Sequence, residues 1–166
     1  MMAKKDKGLD DLFLDTLKDI YFAEKKILTA LPKMAKAAQS ADLRGAFQKH
    51  QRETEGQVGR LDQVFKLINQ TPKGKKCDAI IGIIEEGQEI MKEYRGTRAL
   101  DAGLLAAAQA VEHYEISRYG TLKAWAEELQ LPQAVRMLDQ TLQEEKKTDA
   151  TLSSLAESVI NQQAED

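Results

Sequence analysis

Apolar residues return at helical spacing along almost the whole chain, and no stretch alternates apolar with polar long enough to predict a strand. The first stripe, Phe13, Leu17, Ile20, Ile27 and Leu31, predicts a helix from about Leu9 to Ala38. Pro32 should bend or break its last turns, because proline lacks an N–H and crowds the carbonyl one turn back. Ser40 or Asp42 caps a second segment reaching about Asn69, with Leu43, Phe47, Leu61, Val64 and Ile68 inward. Thr71-Pro72-Lys73-Gly74-Lys75-Lys76 then reads as a solvated turn. A shorter segment from Asp78 to Tyr94 carries Ile80, Ile83, Ile84, Ile90 and Met91, and Gly96 ends it. Asp101 caps a fourth segment reaching Leu129, with Leu104, Leu105, Ala108, Ile116, Tyr119 and Leu122 to one side. Leu131-Pro132 marks the next break. The last segment runs from Pro132 to about Asn161 with Val135, Leu138, Leu142, Leu152 and Val159 inward.

Four long helices and one short one follow. Long amphipathic helices bury their stripes best as an antiparallel four-helix bundle, so the fold class is all-α. The short helix lies between the second and third bundle helices, where it lengthens the connection and allows a crossover. Residues 1–8 are expected to form a flexible tail, 9–162 a single domain and 163–166 a frayed end.

With 166 residues, 42% hydrophobic and 31% charged, the chain is long enough for an ordinary core and unlike a disordered or fibrous sequence. The 24 basic and 27 acidic residues give a net charge of -3, which offers nucleic acid no positive field; Lys4, Lys5 and Lys7 read as a solubility device. No apolar run approaches the ~20 residues of a bilayer span, and no secretory signal opens the chain. The expectation is a cytoplasmic protein that meets no membrane. A single cysteine, Cys77, excludes a disulfide framework and a cysteine-based zinc cluster. It reads as structural or incidental.

The informative residues interrupt the stripes. Glu24 falls between Ile20 and Ile27 at a core position. In the second helix His50, Glu53 and Gln57 share one face between Phe47 and Leu61. In the fourth segment Glu112 and Glu115 lie between Ala108 and Tyr119, and in the last Glu145 and Asp149 lie between Leu142 and Leu152. Each long helix thus carries a carboxylate near the middle of its apolar stripe. A carboxylate removed from water costs several kcal/mol unless paired, protonated or metal-bound. No inward Lys or Arg offsets them: Lys25, Lys49, Arg118 and Lys146 fall on other faces. The simplest compensation is a pair of divalent cations. Taken singly, a Glu on an apolar stripe more often marks a stripe edge, where its long side chain reaches water; the feature shared by all four helices weakens that reading. His50 is either a ligand or a hydrogen-bond partner of one, and His113 points about a quarter-turn away from Glu112.

With those residues in place, the chain resembles the ferritin-like superfamily, and within it the bacterial YciF-like stress proteins. The stretches that carry the resemblance are Asp19-Ile20-Tyr21-Phe22-Ala23-Glu24-Lys25, Ala30-Leu31-Pro32-Lys33-Met34-Ala35, Glu53 to Leu61, Glu112-His113-Tyr114-Glu115-Ile116 with Tyr119-Gly120-Thr121-Leu122, and Glu144 to Asp149. The resemblance implies a four-helix bundle with a fifth helix, a dinuclear metal site and a homodimer. It implies Glu24 as the ligand of the first helix, Glu53 and Glu145 as bridging carboxylates, and Glu112 and Glu115 as counterparts of the paired glutamates of rubrerythrin-like proteins; a dimetal reading then makes Glu24 and Glu112 terminal and lets Glu115 and Asp149 shift with redox state. The usual histidines are absent: Gly56 and Gln57 stand three and four residues after Glu53, and Asp149 stands four after Glu145. A site rich in oxygen and poor in imidazole favours iron or manganese among redox metals, and Mg or Ca otherwise.

Three readings follow. The first is a dimetal stress protein acting on a small oxidant such as peroxide or oxygen, with Tyr119 as a hydrogen-bond donor or an ordinary core residue and Gln57 bonded to a ligand. The second is a non-catalytic helical dimer or interaction scaffold, whose contact surface would use Ile80, Ile81 and Ile84 or the neighbourhood of Trp125. The third, iron storage in a cage, has only chain length in its favour.

Overall fold

In a computed structural model of the protein, which describes residues 6–165, five helices account for most of the chain: α1 (Leu9–Ala37), α2 (Ala41–Leu67), α3 (Asp78–Glu93), α4 (Leu100–Glu128) and α5 (Pro132–Leu155). The described residues contain no strand. Residues 1–5, most of the expected tail with Lys4 and Lys5, lie outside the described residues, as does Asp166. Helix α1 packs against α2 and α4, and α5 packs against the same two helices, so the four long elements close on one another around a shared core. Phe13, Leu17, Phe47, Leu61, Leu104, Leu122 and Leu138 fill that core. Helix α3 lies outside it, against α4 and α1, and only Ile80 and Gly87 of its residues are fully buried.

Three local expectations are corrected. Helix α1 runs through Pro32 without ending. Pro32 is exposed, so the Leu28 carbonyl deprived of its N–H faces the wet side of the helix, where the loss costs least. Asp101 does not cap its own helix, whose N-terminal cap is Ala99. Its buried carboxylate instead accepts the backbone N–H of Gln39 at 2.8 Å and of Ser40 at 2.6 Å, fixing the turn between α1 and α2. Asp101→Ala should therefore destabilise the fold by about 2–3 kcal/mol in denaturant titration, since two backbone donors lose a charged acceptor. Asp101→Asn should recover part of that loss.

The third correction lies at the C-terminus. Val159 is exposed rather than inward. A π-helical turn over Ala156–Ile160, closed by an N–H bond from Asn161 to the Ala156 carbonyl, follows α5 before a last helical piece, α6 (Asn161–Glu165). The widened turn shifts the register by about one residue, so Ile160 meets the core where an unbroken α-helix would present Val159. Of the residues expected at a dimer surface, Ile80 is fully buried, and Ile81, Ile84 and Trp125 are partly buried against the core.

Candidate metal centre

Glu24 of α1, His50 and Gln57 of α2, Glu112 and Glu115 of α4 and Glu145 of α5 are all buried. His50, Glu112, Glu115 and Glu145 each offer a donor atom within 4.8 Å of the others. The His50 Nε2 lies 3.0 Å from Glu112 Oε1 and 3.9 Å from Glu115 Oε2. Neither approach is aligned as a hydrogen bond, and both His50 ring nitrogens lack a hydrogen-bond partner. The same holds for Glu24 Oε2, Glu112 Oε2, both Glu115 oxygens and Glu145 Oε2.

Two neutral groups hold the cluster from its edge. The Tyr119 hydroxyl donates to Glu24 Oε1, and the Gln57 amide donates to Glu145 Oε1. Gln57 also donates to Glu144 Oε2 at 3.2 Å. Glu144 in turn accepts from the Arg60 guanidinium at 2.5 Å, and Arg60 reaches Thr141 Oγ1 at 2.5 Å. This Arg60–Glu144–Gln57 relay escaped the sequence reading. Its only signal there is Arg60 one helical turn beyond Gln57, a spacing common on any helix.

Burial, and then mutual repulsion, dominates the acid–base behaviour of the cluster. Desolvation, with the charge of Glu145 second, pushes the Glu24 carboxyl up to about 7 from an ordinary 4.5. Desolvation likewise lifts Glu112 to about 8. Glu115 rises well above the ordinary range through burial and then the charges of Glu145, Glu24 and Glu112. Glu145 also rises, through burial and then its interaction with Glu112. Burial, then Glu24, holds the Tyr119 phenol protonated. The protein alone therefore disfavours four ionised carboxylates here.

Glu53 and Asp149 stand at the rim. Glu53 is half-buried, 3.5 Å from Lys49 and accepting from Thr148 at 3.3 Å. Asp149 is half-buried and meets His113 Nε2 at 3.1 Å and Gln109 at 3.2 Å. Both have partners of their own and water at hand. Of the residues singled out from sequence, the structure thus brings His50, Glu112, Glu115 and Glu145 together, sets Glu24 beside Glu115 and Glu145, and keeps Glu53 and Asp149 half-buried at the rim, where their charges still help to raise Glu112. The buried slot expected for Glu53 belongs to Thr54, whose hydroxyl bonds back to the His50 carbonyl at 2.8 Å. His50 meets the α4 glutamates rather than Glu53.

The donor set suits a cation. Unpartnered carboxylate oxygens and an imidazole nitrogen converge in a buried space, and hard-to-intermediate divalent ions favour such O-rich sets with nitrogen. The four buried carboxylates, Glu24, Glu112, Glu115 and Glu145, carry together the charge that two divalent ions would neutralise.

Comparison with known proteins agrees with this arrangement of helices. The chain is 44% identical over 160 residues to protein YciF of Escherichia coli strain K12, covering 96% of both chains. The crystal structure of YciF, described as an E. coli stress protein, superposes with a TM-score of 0.89 over 94% of this chain and 99% of that one. The structure of YcfI from Rhodopseudomonas palustris is 47% identical and superposes with a TM-score of 0.88, covering 93% of this chain and 98% of the other. A protein from Xanthomonas campestris, 20% identical with a TM-score of 0.74 over 95% of this chain and 96% of its own, shares the fold. A family described as Domain of unknown function (DUF892) matches residues 8–165, and with nearly its whole length so matched the chain belongs to that family.

Proposed function

We propose that the protein is a ferritin-like four-helix bundle that binds two divalent cations, iron or manganese, at its centre and serves in defence against small oxidants such as peroxide. The observation that carries this reading is the burial of four carboxylates and an imidazole whose facing atoms have no hydrogen-bond partner. Left ionised and bare, such a cluster would cost several kcal/mol per charge. His50, Glu112, Glu115 and Glu145 would hold one ion, and Glu24, anchored by Tyr119, would turn its free oxygen to the second. A redox-active pair would supply electrons to an oxidant bound in its open positions. The residues around it keep the site dry, fix Glu24 and Glu145 through Tyr119 and Gln57, and hold the Tyr119 proton on Glu24. The stress role of the E. coli relative supports the same reading.

Titration of chelator-treated protein with Mn(II), or with Fe(II) under anaerobic conditions, tests it. Two ions should bind per chain. At a hundredfold excess over Kd each bound ion adds about 2.7 kcal/mol, raising the melting temperature by roughly 5–10 °C. No bound metal and no shift would leave the non-catalytic scaffold as the better account. Peroxide consumed by the loaded protein and not by the metal-free one would establish the oxidant.

A further inference from the structure

Helix α3 covers a cavity that leads to the cluster. The space, about 30 Å³, has His50 and Glu112 among its lining residues, with Leu31, Met34, Ile84 and Ala108 as apolar walls. Lys33 and Gln88, both exposed, stand at its outer end. The same Lys33 and Gln88, with Met91, also border a wider groove of about 610 Å³ between α1 and α3. That groove is lined by Lys33, Lys36, Lys92 and Arg95 and by no acidic residue. Among the described residues none of those four cations makes an ion pair.

A basic groove adjoining an apolar recess, with Lys33, Gln88 and Met91 bordering both, has the polarity of one kind of ligand. We propose that the two spaces together bind a free single-chain carboxylate, its head on the Lys33, Lys36, Lys92 and Arg95 groove and its alkyl tail directed through the apolar cavity towards His50 and Glu112. Charge complementarity selects the head: unpaired cations attract an anion, and a cationic or neutral head gains nothing there. The walls select the tail, because an apolar recess strips no polar group of its water to admit methylenes. At about 10–15 Å³ per water-sized group, the cavity as it stands takes the last two or three carbons. Met34 and Met91 are unbranched and readily change rotamer, which lets the passage widen for a longer chain. The floor gives the arrangement its meaning, since the tail would end at the residues proposed to hold metal. Binding itself needs no metal, so this inference rests on that reading only for where the tail is presented.

Isothermal calorimetry on the metal-free and Mn(II)-loaded protein with butanoate, hexanoate, octanoate and decanoate tests it, with decanol and decyltrimethylammonium as controls. Affinity should tighten about fourfold per added methylene until the tail fills the passage. Decanoate should bind at least tenfold more tightly than decanol or decyltrimethylammonium. Lys33→Glu combined with Arg95→Glu, both at exposed positions, should weaken decanoate at least tenfold while leaving the melting temperature unchanged. Ala30→Leu, which intrudes on the cavity from α1, should abolish the gain from hexanoate to decanoate without affecting butanoate. Equal affinity across the chain-length series, or a decyl cation binding as well as decanoate, would overturn the proposal. So would a stable dimer that buries the groove and binds no carboxylate. Carboxylate binding without metal binding would refute the metal centre alone, and metal binding without carboxylate binding would refute only this site.

Discussion

Stripped of metal, the protein should lose several kcal/mol of stability as the pH rises from about 5 to 8, a fall of roughly 10 °C in melting temperature. Burial raises Glu24 to about 7 and Glu112 to about 8, above the ordinary 4.5 that the unfolded chain presents. Over that window the folded protein holds protons that the unfolded chain releases. Stability is therefore complete below about pH 4.5 and drains away as the pH passes through the folded values. Glu115 and Glu145, also raised, extend the fall to the alkaline side. Bound cations reverse the sign, because the carboxyls must shed their protons to coordinate and the metal then binds more tightly as pH rises. Denaturant titrations at stepped pH, with chelator and with saturating Mn(II), check both slopes. A flat profile for the metal-free protein would mean that the carboxyls do not meet in a dry interior.

Glu115→Met should strengthen the metal-free protein and remove the stabilisation that metal confers. Both Glu115 oxygens are buried with no amide, hydroxyl or cationic donor aligned on them, so the wild-type carboxyl contributes repulsion or shares a retained proton with Glu24 or Glu145. A flexible apolar side chain of similar length relieves that, and replacing buried ionic groups by packed apolar ones gains about 1–4 kcal/mol in comparable cases. The gain should be largest near pH 8, where the cluster is most charged, and should shrink towards pH 5. Glu53→Gln provides the contrast. Glu53 is half-buried beside Lys49, and its loss should change both quantities by no more than about 0.5 kcal/mol. A metal-free Glu115→Met protein less stable than wild type at every pH would show that Glu115 has a structural partner.

The difference between Glu115 and Glu53 also marks where the sequence stops being legible. Glu24, Glu112, Glu115 and Glu145 fall on stripes whose neighbours are unambiguously apolar, and all four are buried. On α2 two phases fit the helical period equally: His50, Glu53, Gln57 with steps of three and four, or His50, Thr54, Gln57 with steps of four and three. The structure takes the second, since Thr54 satisfies its hydroxyl on its own helix whereas Glu53 would bring another charge inward. Helix α5 repeats the choice, burying Thr148 between Glu145 and Leu152 and leaving Asp149 at the rim. A one-residue ambiguity of this kind is intrinsic to a period of 3.6 and is settled only by the partner helix. The five helices were legible to within a few residues at most ends, because Ser40 and Pro132 punctuate the chain and Gly96 adopts a positive φ of 74°. The use of Asp101 to bind a distant turn, the π-helical turn and the Arg60–Glu144 pair were not, since each depends on what another helix presents.

Cys77 gives the fold a built-in clock. Its sulfur caps α3 by accepting the Ile80 N–H at 3.4 Å and lies 3.0 Å from the Tyr114 hydroxyl, which itself donates to Asp19 at 2.6 Å. Burial raises the thiol above its ordinary value of 9.0, so the reactive thiolate is scarce while α3 is seated. An alkylating reagent can reach this one sulfur only during excursions in which the start of α3 lifts from α1 and α4. The rate at which the protein takes up such a label then counts how often its interior is briefly unroofed.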